Sequence, residues 1–382
     1  MKIILTDFDA IVPVLLAAAL ILGASALFSG CYTLQQGVIM LGYLGRAVPL
    51  EDLTDRTPDA SDLRLDTSPS VNGKERNREF AARVGDIRRF AMEELGLKET
   101  KNYTRYVEID RNYLAAVVSA VERDAFVPYE WWFPVVGKVP YKGFFREEDA
   151  RREGEKLRRR DLDVWIRGVE AFSTLGWFRD PLYSYMRDYP VHELADLVIH
   201  ELLHATVYLK GHSQFDEELA EFVGREGSHL YIEKRYGPDS EEYRKMVDSA
   251  ADGAAFVSFI QELIAELGVL YNRDIPREEK LERKAAIIQA AQGRFTEEYE
   301  ARFREDTYRD FAELPVNNAY LELFRLYYDE SRFFDELYAQ SGRDMAAFIA
   351  AAKTVTARGK GTPYERLEQA LSAGYQEPVT TK

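Results

Sequence analysis

The apolar positions change their period several times along the chain, and each change marks an element. Residues 10–28 form an unbroken run of 19 uncharged, mostly apolar residues, just long enough to cross a bilayer as a helix. Residues 32–46 fit one short amphipathic helix ahead of Pro49. Residues 51–76 are polar and punctuated by Thr57-Pro58, Ser68-Pro69 and Asn72-Gly73, the signature of a linker. Over 76–95 the residues Phe80, Val84, Ile87, Phe90, Ala91 and Leu95 recur at helical spacing.

From about Tyr103 to Phe178 the period shortens. Brief β-branched and aromatic runs at 131–136, 139–145, 164–166 and 171–178 are separated by Gly and Pro and predict strands, with a charged helix over 146–160. Beyond Pro181 no strand is predicted. Helical patterns cover 182–210, 214–235, 240–272, 276–305, 316–340 and 344–357, and a polar tail from Gly359 is expected to be loosely ordered. A strand-rich unit followed by a helical half is an α+β layout. The expected division is 1–30 as a targeting or anchoring segment, 31–76 as helix and linker, 77–182 as the strand-rich sub-domain, 183–358 as the helical sub-domain and 359–382 as the tail.

Composition narrows what such a chain can do. Its 382 residues allow two or three domains, or one large domain with a sub-domain. With 23 Tyr, 21 Phe and 4 Trp it carries far more aromatic surface than a disordered chain. A net charge of −15 argues against a broad grip on phosphate backbones, so nucleic acid is not an expected partner. One Cys permits no internal disulfide and excludes Cys-rich zinc sites. Chemistry therefore falls to five histidines, the carboxylates and the hydroxyls.

That single Cys has an informative position. The apolar run ends in Leu27-Phe28-Ser29-Gly30-Cys31, which resembles a bacterial lipoprotein signal in which the Cys is lipidated. The alternative is an uncleaved transmembrane anchor with Cys31 beside it. Either reading puts the remaining chain outside the cytoplasm, in the cell envelope and attached to a membrane. Tyr32 after the Cys, by resemblance to lipoprotein sorting, implies the outer membrane.

One motif carries chemistry. His200-Glu201-Leu202-Leu203-His204 is an HExxH sequence, in which residues four apart share a helix face, so both imidazoles can hold one metal while Glu201 serves as a base. Random placement would produce it about 0.01 times in a chain of this composition. The surrounding helix is apolar nearly all round, with His192, Asp196, His200 and His204 as a narrow polar stripe. A catalytic zinc site needs a third protein ligand. Lys210 and Val207 break the metzincin pattern, and His212 falls in the turn. Glu217 is the better candidate. Gly211 can end the first helix and Ser213 with Asp216 can cap the second, which would set His204 and Glu217 level across an antiparallel pair. On the second helix Phe215, Leu219, Phe222, Val223 and Leu230 are the apolar stripe, and Glu217, Ala220, Glu221 and Gly224 lie opposite. Glu218 lies between and is a weaker ligand, while Glu221 could orient a ligand imidazole.

HExxH with a Glu on the next helix resembles the gluzincin zinc peptidases, the group that includes thermolysin. A closer resemblance is to a family of bacterial lipoproteins described as aminopeptidases. It is carried by residues 31–37, Trp132-Phe133-Pro134-Val135, Pro140-Tyr141-Lys142-Gly143-Phe144-Phe145, residues 172–178, Asp180-Pro181, residues 215–220, Phe222-Val223-Gly224 and Pro315-Val316-Asn317-Asn318-Ala319. Where that family tends to have Asn-Glu, this chain has Asp216-Glu217.

The resemblance implies a zincin-like catalytic unit of the thermolysin type that hydrolyses peptides. Zn2+ would be held by His200, His204 and Glu217, with Glu201 as general base. It further implies a Tyr donor to the oxyanion, for which Tyr327 is the first choice, and an edge strand at 171–178 that pairs with substrate through Ser173, Thr174 and Gly176. Two other readings stay open. One is a zinc hydrolase acting on a different bond. The other is a surface lipoprotein that binds a partner and keeps a vestigial metal site, against which the intact Glu201 argues.

Overall fold

A computed structural model describes residues 31–55, 73–133, 137–169, 180–325, 331–357 and 361–372. Three apolar clusters organise them. The first is built by α2 (Gly73–Glu93), α4 (Val191–His204), α5 (Ser213–Tyr236) and three late helices, α9 (Ser331–Gln340), α10 (Met345–Ala357) and α11 (Pro363–Ser372). From α2 and the turn just after it comes the predicted stripe of Phe80, Val84, Ile87, Phe90, Ala91 and Leu95, all buried. The Phe, Val, Ile and Leu side chains among them each contribute about 1.5–3 kcal/mol by leaving water. A small sheet borders this cluster, in which β2 (Arg105–Val107) pairs antiparallel with β1 (Val48–Pro49) and parallel with β8 (Leu182–Tyr183).

The second sheet has the order β6 (Tyr141–Phe144), β3 (Ala115–Glu122), β7 (Leu162–Val169), antiparallel throughout, with Val118 opposite both Lys142 and Ile166. Helix α3 (Glu147–Arg158) packs against it and closes the second cluster. A hairpin of β4 (Trp131–Phe133) and β5 (Gly137–Val139) lies beside it. The third cluster is aromatic: α6 (Glu241–Tyr271), α7 (Arg277–Arg302) and α8 (Asn318–Arg325) bury Phe256, Phe259, Phe295, Phe311 and Tyr320 against one another. At the N-terminal side α1 (Cys31–Arg46) reaches the second sheet, where Gln36 accepts the Phe145 amide at 2.7 Å.

The third cluster is tied to the second sheet through buried polar groups. Lys284 pairs with Asp163 and donates to the Arg123 carbonyl at 2.9 Å. The Asn318 amide also donates to Asp163, at 2.9 Å, and its side chain donates to the Glu122 carbonyl at 2.8 Å. Tyr271 closes the group by donating to Asn318 at 2.7 Å. The Asn317-Asn318 pair is thus a joint between layers.

Several expectations need correction. Strand β3 carries no alternation and was not predicted, because a strand packed against α3 and α8 buries successive residues alike. The predicted strand 139–145 is two strands broken at Pro140, which cannot donate to a ladder. The helix expected over 182–210 is β8, a 3-10 turn (Ser184–Asp188), and then α4. Pro190 stands at the N-cap of α4 and disfavours helix in the residue before it. One helix expected over 316–340 is α8 and α9, which belong to different clusters. The tail expected to be loose contains α11, with Pro363, Leu367 and Leu371 buried. Thr362 and Glu365 cap it reciprocally, at 2.7 Å and 3.2 Å. The segments 1–30 and 171–178 lie outside the described residues.

Candidate metal centre

Helices α4 and α5 form an antiparallel hairpin, and glycine lets them approach closely. A Cβ at Gly224 would lie 2.2 Å from Asp196 Oδ1 and 3.1 Å from His200 Cβ. A Cβ at Gly227 would meet Ile199 at 3.0 Å. The register is fixed further along by Ser228, which donates to the His192 carbonyl at 2.7 Å.

The turn between the helices differs from expectation. Helix α4 ends at His204, well before Gly211, which holds φ 86° within the connection. No side chain at His212 caps α5. Asp216 instead reaches back, and its carboxylate accepts the Leu209 amide at 3.0 and 3.1 Å. Burial raises the Asp216 pKa to about 6 against that hydrogen bond and the nearby His204. The position needs an acceptor, which Asp and Asn both supply; this accounts for the departure noted in the sequence.

Across this turn His200, His204 and Glu217 converge. The two Nε2 atoms are 3.2 Å apart, and Glu217 Oε2 is 3.5 Å from that of His200 and 3.6 Å from that of His204. Ligands about 2.0–2.1 Å from a tetrahedral zinc lie roughly 3.3 Å apart. The three edges therefore match one face of such a tetrahedron. The donor set of two imidazoles and a carboxylate suits zinc chemistry. The His204 side chain is 2% exposed and that of Glu217 59%, so the group opens to solvent on the Glu217 side.

Electrostatics bind the group together. Burial works to raise the Glu217 pKa, but hydrogen bonds from His200 and His204 hold it down at about 2. Burial would lower that of His200, yet Glu217, Glu201 and Asp196 together raise it. Glu201 is buried, with a raised pKa: burial and the charges of Glu217 and Asp180 outweigh the two imidazoles. Its Oε2 has no hydrogen-bond partner among the described residues, nor has His204 Nδ1.

The other sequence candidates separate clearly. Glu218 turns aside and accepts from Gln214 at 2.9 Å. Glu221 keeps part of its surface open to solvent and makes no described hydrogen bond to either imidazole; partial desolvation of its carboxylate raises its pKa, with His200 opposing. Asp196, given no role by the sequence reading, is the carboxylate that lies over Gly224 beside His200, its pKa pushed to about 6 by burial. Its only sequence signal was its place one turn before His200. His192, His212 and His229 lie outside the group; His229 faces the Tyr243 hydroxyl at 3.2 Å. Tyr327, Ser173, Thr174 and Gly176 fall outside the described residues.

Residues 32–367 match the family model described as putative aminopeptidase. The chain belongs to that family. The match takes in residues of all three clusters, including the joint at Asn317-Asn318. No curated protein and no solved structure is significantly similar to the chain.

Proposed function

We propose that this chain is a zinc peptidase of the gluzincin type, with a zincin-like catalytic unit on α4 and α5. Support comes from the family, whose description is an aminopeptidase. The observation that carries the reading is the triangle of His200, His204 and Glu217 with a buried carboxylate on the next residue. His200, His204 and Glu217 would hold the ion. Zinc bound there would supply a Lewis acid and lower the pKa of its water to about 7.

The protein's own groups supply the rest. Glu201, buried beside the ligand imidazoles, takes a proton from the attacking water and returns it to the leaving amine. Gly224 lets α5 approach the backbone that carries Asp196 and His200, and the Asp196 charge favours the protonated His200 ring. Tyr327 is the proposed donor to the developing oxyanion. The segment carrying Ser173, Thr174 and Gly176 is the proposed edge for substrate backbone. The apolar run ending at Cys31 is proposed to attach the enzyme to a membrane of the cell envelope, through a lipid or as an anchor helix.

Elemental analysis and peptide hydrolysis test this together. The purified chain should bind zinc near one equivalent and cleave peptides, and E201Q should keep the zinc and lose at least a hundredfold in kcat. Stoichiometric zinc without turnover of any library peptide would overturn the peptidase reading. N-terminal acetylation of a cleaved peptide should abolish its cleavage; equal cleavage would rule out an aminopeptidase.

A further inference from the structure

A cleft of about 400 Å³ opens where α1, β6 and α3 meet, on elements that contribute nothing to the metal group. Along α3 and its C-cap, Arg152, Lys156 and Arg159 follow one another at i, i+4 and i+7 and line one wall. Lys142 lines another, its Nζ 5.4 Å from the centre of the Phe144 ring. Two carboxylates stand among these four cations, and both are engaged. Asp149 pairs with Arg152. Glu153 accepts the Trp131 indole at 2.9 Å and lies 3.6 Å from Lys156. The Arg159 side chain makes no ion pair or hydrogen bond among the described residues. An excess of cations in one cleft runs against the net charge of the chain, which is −15.

The third wall supplies an unused donor. Gln36 Oε1 accepts the Phe145 amide at 2.7 Å, which turns its Nε2 the other way. That Nε2 is buried and has no hydrogen-bond partner among the described residues. A buried amide donor is costly to leave unpaired, and no acceptor in the cleft reaches it. Burial also lowers the Lys142 pKa, and Lys156 adds to this against the pull of Glu153. An anion with several acceptor oxygens would satisfy both groups.

We propose that this cleft binds a phosphate monoester, with Lys142 and Arg159 holding its charge and Gln36 Nε2 donating to one of its oxygens. Four cations over two carboxylates leave two positive charges, which match the charge of about −1.5 to −2 on such a group at neutral pH. A carboxylate ligand would match only one. Two sources carry this chemistry, a lipid headgroup and a soluble ester. Gln36 lies five residues past Cys31, about 8 Å along α1, so a membrane that takes up residues 10–28 would bring lipid phosphate close to the cleft. Such a site works independently of the peptidase chemistry.

Calorimetric titration of the full chain with inorganic phosphate, in dodecyl maltoside micelles at about 0.15 M salt, tests this. The native chain should bind one equivalent saturably, and K142Q/R159Q should bind it at least tenfold more weakly. K138Q removes a cation outside the cleft and should bind as the native chain does. All three should share one thermal midpoint. If the double variant does not fold, R159Q alone, a change at an exposed residue, should weaken binding at least threefold. Equal affinity in the native chain and the folded cleft variant overturns the proposal, as does a lack of saturable binding below about 10 mM phosphate. Phosphatidic acid added to the micelles separates the two sources. An apparent Kd for phosphate raised at least tenfold identifies a lipid headgroup. An unchanged Kd, with competition by glycerol 3-phosphate, identifies a soluble ester. Competition by neither overturns the assignment to a phosphate monoester.

Discussion

Glu217 shows how little a single residue says of its own role. It is one of 65 acidic residues, more than half exposed, and sits on a face that elsewhere in the chain is simply solvated. Its position on α5 relative to His204 sets it apart, and that was visible from helical geometry. Backbone conformation gives no such sign: Tyr103 holds φ 58°, and a left-handed backbone cannot be read from a residue type that disfavours it. Asp86 is a structural counterpart. It accepts from Arg89 at 2.8 Å, Arg235 at 2.9 Å and Tyr231 at 3.1 Å, joining α2 to α5. Burial raises its pKa, but these partners prevail and leave it below the ordinary carboxylate value of 3.8. A depressed folded-state pKa stabilises above the unfolded value and loses that contribution as pH falls through the folded one. D86N should therefore have a lower thermal midpoint than the native chain at pH 7. Melts repeated down the pH scale should show the gap closing below roughly pH 4.

Elements were legible where their apolar period was unbroken. Helices α5, α6 and α7 lie within a few residues of the ranges read from the sequence, as does the charged helix α3. Boundaries set by local chemistry fared worse. Gly211 could end α4 by its residue type, yet the helix stops at His204, and the following connection is held by Asp216 from the next helix. The small residues of α5 did foretell close packing. Gly224 leaves the space that Asp196 fills, so G224A must push either the Asp196 carboxylate or α4 itself out of place. Overpacking of this kind costs about 1–3 kcal/mol. Calorimetry should find G224A less stable by that order, and zinc titration should find its affinity reduced at least tenfold, since His200 hangs on the same turn. Unchanged zinc affinity would show that the α4–α5 spacing does not govern the ligand group.

At the scale of the molecule, a strand-rich part followed by a helical half describes the order of the elements but not their grouping. Helices between 183 and 358 divide between two cores, and the late helices α9 to α11 return to pack with α2 near the start of the chain. The joint at Lys284 and Asp163 couples the aromatic cluster to the β6-β3-β7 sheet. Burial lowers the Lys284 pKa and Asp163 opposes this, so removing the lysine strands a carboxylate in a largely buried site. Breaking one side of such a pair costs about 3–5 kcal/mol. Arg123, 3.7 Å from Asp163, offsets part of the loss. K284M should thus lower stability by about 3 kcal/mol in denaturant titration. K284M combined with D163N should recover part of it, as expected of directly coupled residues; additive losses would mean that the two do not act as a pair.

The sequence by itself determined the helix that presents two imidazoles on one face, the carboxylate of Glu201 between them in the chain, the carboxylate of Glu217 brought level with them one helix later, and the apolar periods of the long helices. All of these depend on spacing within one or two consecutive elements, where geometry follows directly from residue number. Only the tertiary structure decided what stands around that set. Asp196 lies over Gly224, and Asn318 joins two layers across nearly two hundred residues. Contacts of that kind depend on how distant segments pack, and no period along the chain encodes them.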